Sequence, residues 1–218
     1  MNCSIEKTIA NLKNNNMEAY FCETKEDALE KVKSMINKGD VISNGGSVTL
    51  AQTGVMELIK SGDYNYLDRS REGITREEVE EVYRQAYRAD VYFASVNAIT
   101  ESGYIYNVDG NSNRVSAILY GPKSVILVVG KNKLVKTIDD AVTRVRETAA
   151  PKNTVRLGVD TYCSAKGKCM ALNQPTENDE ICDGCHSDAR ICCNYVLSGK
   201  QRQKNRIKVI IVNEDLGY

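Results

Sequence analysis

The sequence predicts an α/β protein with a mixed, mainly parallel sheet, on the strength of three observations. Strand-like and helix-like segments alternate through the first half of the chain. Short apolar runs joined by turn residues follow in the middle and indicate antiparallel strands. Hydrophobic residues make up 42% and charged residues 27% of the 218 residues, which is typical of a globular protein with a sizeable core.

In the first half, apolar residues at helical spacing predict helices, and short β-branched or aromatic runs predict strands between them. The predicted elements, in chain order, are a helix at 4–15, a strand at 18–23, a helix at 25–39, a strand at 40–47, a helix at 48–62, a strand near 64–67, a helix at 75–88 and a buried strand at 89–96. Strands that alternate with helices in this way favour a parallel sheet.

The second half begins with three strand-like runs, "GYIYNV", "VSAILY" and "SVILVV", at 103–108, 115–120 and 124–129. Their short connections contain Asp-Gly and Gly-Pro, which predicts hairpins or a meander. A helix is predicted at 134–148 and a final buried strand within 206–217. We therefore expect a single domain over 1–218, with a cysteine-rich insertion at about 160–198 before the last strand.

Charge and hydropathy restrict the protein's partners. The 29 basic and 29 acidic residues cancel, so no net field favours nucleic acid or an anionic membrane surface. No apolar leader or stretch of membrane-spanning length is visible, which predicts a cytoplasmic protein without a membrane span. Apolar strands near the C-terminus leave a homo-oligomer possible.

A first candidate site is the glycine turn "SNGGSVTL" at 43–50, between a predicted strand and a predicted helix. Gly45 and Gly46 let the backbone approach a ligand closely, and Ser47 or Thr49 could cap the helix or bind an anion. An ordinary tight turn explains the same residues. The place of this turn at the carboxyl end of a strand favours a ligand, because open α/β sheets bind ligands there.

A second candidate site is the polar stretch at 95–114, which follows a buried strand. Its polar side chains belong to Asn97, Thr100, Glu101, Asn107, Asp109, Asn111, Asn113 and Arg114. Hairpin turns explain the two glycines but not this density of amides and carboxylates. Glu101 is the candidate nucleophile or general base, and Arg114 is suited to clamp an anion.

A third candidate lies at 163–193, which holds six of the eight cysteines and the only histidine. In a reducing cytoplasm such clusters bind metal or act in redox chemistry more often than they form disulfides. Cys182 and Cys185 form a C-x2-C chelate, but no strand pattern precedes them as a thioredoxin-like site requires. The spacing leaves zinc, an iron–sulfur cluster and dispersed structural thiols open.

Three segments, "ISNGGSVTL", the block from "ADVYFASVNAITESGYIYNVDGNSNR" to "VVGKNKLV", and "RIKVIIVNEDLGY", resemble the LUD-domain family of lactate utilisation proteins. The resemblance implies a three-layer α/β fold similar to the phosphosugar isomerase and CoA-transferase superfamily. It also implies that the glycine turn contacts phosphate or CoA groups. "TESG" loosely resembles the glutamate-containing glycine turn of class I CoA-transferases, so a catalytic Glu101 stays a hypothesis of this resemblance.

Short members of the family end in a segment similar to C-x5-C, a short spacer, and C-x6-C. Cys163, Cys169, Cys185 and Cys192 fit that pattern, whereas an insertion adds Cys182, which stays a competing ligand. Because the family's lactate-oxidising systems include iron–sulfur partner subunits, the resemblance favours a [4Fe–4S] cluster over zinc.

Two functions follow from these readings. The first is an iron–sulfur protein of organic-acid utilisation and electron transfer, with a small anionic ligand bound between the glycine turn and the 97–114 loop. The second is an enzyme of the phosphosugar or CoA-transferase type, in which Glu101 acts on a small anion and the cysteines hold structural zinc. A non-catalytic subunit with a structural metal is a third possibility.

Overall fold

The computed structural model of this chain describes residues 4–172 and 180–218, and its framework is a six-stranded parallel sheet beside a four-stranded sheet. The strands are β1 (Glu18–Cys22), β2 (Val41–Asn44), β3 (Asn65–Tyr66), β4 (Val91–Ala94), β5 (Ala98–Thr100), β6 (Ile105–Asp109), β7 (Ser124–Gly130), β8 (Leu134–Val135), β9 (Asn194–Ser198) and β10 (Ile207–Val212). The helices are α1 (Ile5–Asn14), α2 (Lys25–Lys33), α3 (Val48–Gln52), α4 (Val55–Ile59), α5 (Arg76–Gln85), α6 (Asn113–Leu119), α7 (Ile138–Arg144), α8 (Ala150–Leu157) and α9 (Tyr162–Lys166).

The large sheet has the strand order β1-β10-β7-β4-β2-β3, and every neighbouring pair is parallel. Its last strand in sequence, β10, lies inside the sheet, where Val209 pairs with Ala19 on one side and Leu127 on the other. The carboxyl ends of all six strands therefore meet at one edge, which is where parallel sheets place their ligand sites.

Helices cover both faces of this sheet and give three layers. On β7, Val125, Leu127 and Val129 pack into one core with α1 and α6, whereas Ile126 and Val128 pack into the other with α2, α3 and α4. This alternation follows from the period of two in a strand, and a strand buried on both faces reads as a continuous apolar run. The three-layer α/β arrangement predicted from the sequence is confirmed.

The small sheet has the order β8-β5-β6-β9, with β5, β6 and β9 antiparallel. It packs on α7 and α8 through a third core that includes Tyr106, Val108, Ala141 and Val145. Of the three runs predicted as a hairpin or meander, only the one at 103–108 enters this sheet, as β6, whereas the run at 124–129 is β7 of the parallel sheet. The cysteine-rich segment connects α8 to β9 and β10 and lies against this sheet.

The structure corrects several predicted elements. The run at 115–120 is not a strand, because Val115, Ala117 and Ile118 reach the core from helix α6. The helix predicted at 134–148 starts later, because Leu134–Val135 forms β8, and it continues through a π-helical turn at Val145–Ala149 into α8. The helix predicted at 48–62 is interrupted at Gly54, whose φ of 74° is left-handed.

Two parts of the predicted domain lie outside the described residues: residues 1–3, and residues 173–179 of the cysteine-rich insertion. Within the described residues, no helix is both long and apolar enough to cross a membrane.

Candidate functional site

A cavity of about 610 Å³ opens at the carboxyl edge of the large sheet. It is lined by residues that follow four different parallel strands: Gly46 after β2, Ser95 after β4, Lys133 after β7 and Gly217 after β10. The π-helical turn supplies another wall through Val145 and Ala149 (a local feature that is frequent at functional sites). We call this space the cationic cavity, after the basic side chains that line it.

The glycine turn brings two arginines close to the backbone. A Cβ atom on Gly46 would lie 2.9 Å from Nη2 of Arg69, and one on Gly45 would lie 3.0 Å from Cγ of Arg114. Ser47 caps α3 by accepting a hydrogen bond from the Leu50 amide at 3.3 Å. Gly46 and Ser47 line the cavity, whereas Gly45 packs against Arg114 without lining it. Because the two glycines have no side chains, both arginines can approach the backbone of the turn.

Arg114 joins the glycine turn to the polar stretch that follows β4. Its guanidinium donates to Asp109 Oδ2 at 3.2 Å, Asn97 Oδ1 at 2.9 Å, the Val108 carbonyl at 2.9 Å and the Ser95 carbonyl at 3.3 Å. Four hydrogen bonds hold this side chain in one position, and the ion pair with Asp109 is largely buried. Arg114 is therefore placed before any ligand arrives.

Charge is distributed unevenly in this cavity. The cationic side chains among its described lining residues are Arg69, Arg114, Lys133, Arg156 and Arg190, against the carboxylates of Asp109 and Asp188. An excess of positive charge in a concave site concentrates the field and attracts anions. The cavity is thus suited to an anionic ligand.

Two of these arginines keep donors available. Arg69 donates through Nη1 to the Tyr83 hydroxyl at 3.2 Å, and Arg156 donates through Nε to the Tyr218 hydroxyl at 2.7 Å. Within the described residues, Nη2 of Arg69 and Nη1 of Arg156 donate no hydrogen bond to the protein. A planar guanidinium with open N–H groups matches the geometry of a carboxylate or phosphate.

Lys133 lines the cavity but was not among the predicted site residues, and neither were Arg69, Arg156 and Arg190. The Lys133 side chain is 3% exposed, and Nζ donates to Thr49 Oγ1 at 2.9 Å and to Ser95 Oγ at 3.0 Å. Burial, followed by the nearby charges of Arg144 and Arg114, lowers the pKa of Lys133 to about 7. Its position just after the carboxyl end of the apolar strand β7, in "GKNKLV", is the signal that could have identified it.

The structure brings most of the predicted ligand-binding residues together. Asn97, Asp109, Asn111 and Arg114 line the cavity with Gly46 and Ser47. Thr49 does not line the cavity, but its Oγ1 accepts a hydrogen bond from Nζ of Lys133, which does. Thr100 does not line the cavity; it is buried in the β5–β6 turn, where its Oγ1 accepts from the Tyr104 amide at 3.1 Å.

Glu101 also lies away from these residues. Its carboxylate forms an ion pair with Lys7 at 2.7 Å and accepts from the Ser4 amide at 3.1 Å. The hydrogen bond from Lys7, followed by that from Ser4, lowers the pKa of Glu101. Glu101 is absent from the described residues that line the cavity, so a catalytic role for it stays a prediction without support from the site's geometry.

The cysteines converge on a second, smaller space, which we call the cysteine pocket. Four cysteines line this pocket of about 30 Å³: Cys163, Cys169, Cys185 and Cys192. Its apolar walls come from Tyr106, Val142, Val145 and Ala150. Cys182 is exposed and does not line it. The four cysteines that fit the family's spacing are thus the four that share one pocket.

The thiols are gathered but are not in a ligating arrangement. Across residues 4–172 and 180–218, no group of three or more His, Cys, Asp or Glu side chains is positioned to hold a metal ion. Burial, followed by the charges of Cys163 and Cys169, raises the pKa of Cys192 to about 12. Four cysteines in an apolar pocket fit the donor set of an iron–sulfur cluster, and such ligands need not be preformed without metal.

The two spaces share a wall. Val145, Ala150, Arg190, Ile191 and Cys192 line both the cationic cavity and the cysteine pocket. A group bound by the four cysteines would therefore lie next to a ligand in the cavity.

Arg190 shapes the cysteine loop at this wall. It donates to the carbonyl oxygens of Cys182 at 2.5 Å, Cys185 at 2.9 Å and Cys192 at 2.8 Å, and to the Tyr195 hydroxyl at 2.9 Å. Its charge is thus held beside the cysteines and at the edge of the cavity.

Comparison with known proteins places this chain. The LUD-domain profile matches residues 5–212. The fold is similar to the crystal structure of a DUF162 family protein from Deinococcus radiodurans, with a TM-score of 0.51 over 96% of each chain and 14% sequence identity, which supports the fold alone. No curated protein matches the sequence. Because the matching profile spans nearly the whole α/β domain, the chain belongs to the LUD-domain family.

Proposed function

We propose that this protein is an iron–sulfur electron-transfer protein of organic-acid utilisation, which binds a small organic anion in the cationic cavity. The LUD-domain family is associated with lactate utilisation. The observation that carries the proposal is the wall shared by the cysteine pocket and the cationic cavity. A redox centre and an anionic substrate would be held side by side there.

The cluster half of the proposal rests on the donor set. Cys163, Cys169, Cys185 and Cys192 are the residues that would hold a [4Fe–4S] cluster. When bound, the cluster supplies one-electron transfer. The chain itself supplies an apolar shell, which lowers the local dielectric, and the Arg190 guanidinium, which stabilises negative charge near the sulfurs.

The anion half rests on the unpartnered donors. Nη2 of Arg69 lies beside Gly46, where no side chain intervenes between the guanidinium and the turn. Arg156 approaches the same glycine: its Nη2, which donates to Asn153 Oδ1 at 2.8 Å, lies 4.0 Å from the position of a Cβ atom, and its Nη1 has no partner among the described residues. A carboxylate at this point would receive charge-assisted hydrogen bonds from two arginines.

Electron exchange with a partner needs a redox centre near the surface. Tyr162 and Ile181 line the cysteine pocket and are 36% and 41% exposed, so the pocket lies close to solvent. This supports exchange with the iron–sulfur subunits of a lactate-oxidising system.

The test is spectroscopic. Protein purified without oxygen is expected to show broad visible absorbance that bleaches on reduction, and an electron paramagnetic resonance signal in the reduced state. Added lactate should alter that signal, because the anion would lie next to the cluster. Colourless protein that contains stoichiometric zinc would overturn the cluster assignment and favour a structural metal. A cluster signal insensitive to lactate, pyruvate and phosphate would overturn the coupling between the two sites.

A further inference from the structure

We propose that Lys133 is a carbonyl-reactive amine, which forms an imine with a 2-oxo acid held in the cationic cavity. This goes beyond the proposed function, and it requires only that the cavity binds a carboxylate. It does not depend on a cluster in the cysteine pocket.

The first argument is the set of partners around the amine. Nζ of Lys133 donates to two neutral hydroxyls, Thr49 Oγ1 at 2.9 Å and Ser95 Oγ at 3.0 Å. No carboxylate within the described residues forms an ion pair with it. A neutral amine that gives its two protons to these hydroxyls keeps its lone pair for a third direction, and an uncharged, desolvated lysine is a nucleophile.

The charged groups that face Lys133 disfavour its protonation further. Arg144 on α7 and Arg114 on α6 are the charged neighbours that lower its pKa toward neutrality, after the larger effect of burial. Arg144 is itself half-buried, and its described hydrogen bonds are to the carbonyls of Asn132 at 2.9 Å and Asn97 at 2.6 Å. The free amine is therefore present at neutral pH in a position where an exposed lysine would be charged.

The second argument is a neighbouring carboxylate site. Arg114 and Lys133 both bind Ser95, the first through its carbonyl oxygen at 3.3 Å and the second through its hydroxyl at 3.0 Å. The hydrogen bonds of Arg114 leave one N–H of Nη1 without a partner among the described residues. In a 2-oxo acid the carboxylate is directly bonded to the carbonyl carbon. This geometry therefore suits a 2-oxo acid whose carbonyl lies at Nζ and whose carboxylate lies on Arg114, rather than on the Arg69 and Arg156 pair beside Gly46.

The backbone of the C-terminal tail also passes close to the amine of Lys133. A Cβ atom on Gly217 would lie 3.2 Å from Nζ of Lys133 and 2.5 Å from Thr49 Oγ1. The φ of Gly217 is +61°, a conformation that glycine adopts without strain. Glycine at this point lets the tail pass close to the amine without a side chain covering it.

The step balances without another reactant. The Nζ lone pair attacks the carbonyl carbon, the carbon–nitrogen bond forms, and the carbonyl π electrons move to oxygen. Both amine protons leave with that oxygen as water, and the hydroxyls of Ser95 and Thr49 are placed to relay them. The product is an imine, in which the former carbonyl carbon is activated as an electron sink.

Reductive trapping tests the proposal on the full-length protein. Pyruvate and cyanoborohydride should add to one residue the mass of pyruvic acid less one oxygen atom, and peptide mapping should locate this adduct at Lys133. Acetone, which lacks the carboxylate, should label poorly. Lactate, which has the carboxylate but lacks the ketone, should compete with pyruvate and reduce labelling of Lys133. Lys133→Met should remove the adduct, whereas Lys131→Met, at an exposed lysine two residues earlier, should not.

Wild-type protein alone decides the outcome if a variant fails to fold. An adduct spread over exposed lysines, or labelling by acetone equal to that by pyruvate, would overturn the proposal. Trapping is to be carried out with and without bound metal. A colourless protein that still forms the pyruvate adduct at Lys133 would contradict the cluster assignment and support the imine proposal. A brown protein that traps nothing at Lys133 would do the reverse.

Discussion

The cationic cavity and the cysteine pocket are neighbours, but the chain builds them in different ways. The cavity is assembled by the ends of rigid parallel strands, and Arg114 is held there by four hydrogen bonds without a ligand. The cysteine pocket is assembled by the segment between α8 and β9, where four thiols surround a space without forming a ligand cage. A site whose side chains are already in position binds its ligand without rearrangement. A set of thiols that merely lie close together takes up a ligating arrangement only when a metal binds.

The two regions also differ in polarity. The cavity carries an excess of cationic side chains, which favours anions, while the cysteine pocket has apolar walls around sulfur. Soft thiolates in an apolar shell favour iron–sulfur clusters or zinc over hard cations such as Mg²⁺.

Cys185→Ser is expected to lower bound iron at least ~tenfold, because it removes one of the four proposed cluster ligands. Cys193→Ser is the matched control: Cys193 is exposed, and its thiol contacts the Arg190 carbonyl at 3.3 Å rather than the cysteine pocket. Iron analysis after anaerobic purification measures both. Cys182→Ser should resemble the control, and a loss as large as that of Cys185→Ser would move Cys182 into the ligand set.

Arg69→Met is expected to weaken lactate binding by about tenfold or more, which corresponds to the loss of a charge-assisted hydrogen bond. Arg71→Met is the matched control, because that guanidinium is bound to Glu78 at 2.7 Å and does not line the cavity. Isothermal titration calorimetry compares the two variants. Equal weakening in both would mean that general charge, rather than the cavity, binds the anion.

Lactate affinity is expected to fall as pH rises through about 7, because the anion binds best when Lys133 is charged. Above that pH the free protein holds a neutral amine, so binding must take up a proton, and the affinity falls by at most about tenfold per pH unit. Titrations in buffers of different ionisation enthalpy measure this proton uptake. Lys133→Met should abolish it, and an unchanged pH profile in that variant would assign the titration to another group.

Glu101→Gln is expected to leave anion affinity and cluster content unchanged, because Glu101 pairs with Lys7 outside both spaces. A small decrease in Tm is the only expected effect, since Lys7 is exposed and solvent screens its ion pair with Glu101. Calorimetric binding and thermal unfolding of the same preparation measure both. Loss of ligand binding or of turnover with the fold intact would return Glu101 to the site.

The site residues that could be predicted from the sequence are those that local residue chemistry and spacing identify. Gly46, Ser47 and Asn97 share one cavity because they follow strands of the parallel sheet, whose carboxyl ends meet at one edge, whereas Arg114 reaches the cavity from α6, after the antiparallel strand β6. Lys133 was missed because its chemistry comes from burial, and nothing in "GKNKLV" states which lysine points inward. The misassigned 115–120 segment combines strand-like composition with a helical core spacing, and tertiary packing decided between them.

Iron and acid-labile sulfide analysis of protein purified without oxygen decides whether the four thiols of the cysteine pocket hold one cluster beside the cationic cavity. We expect about four iron and four sulfide per chain, lost in Cys192→Ser and kept in Cys193→Ser. Zinc without sulfide, or iron retained in Cys192→Ser, would contradict it.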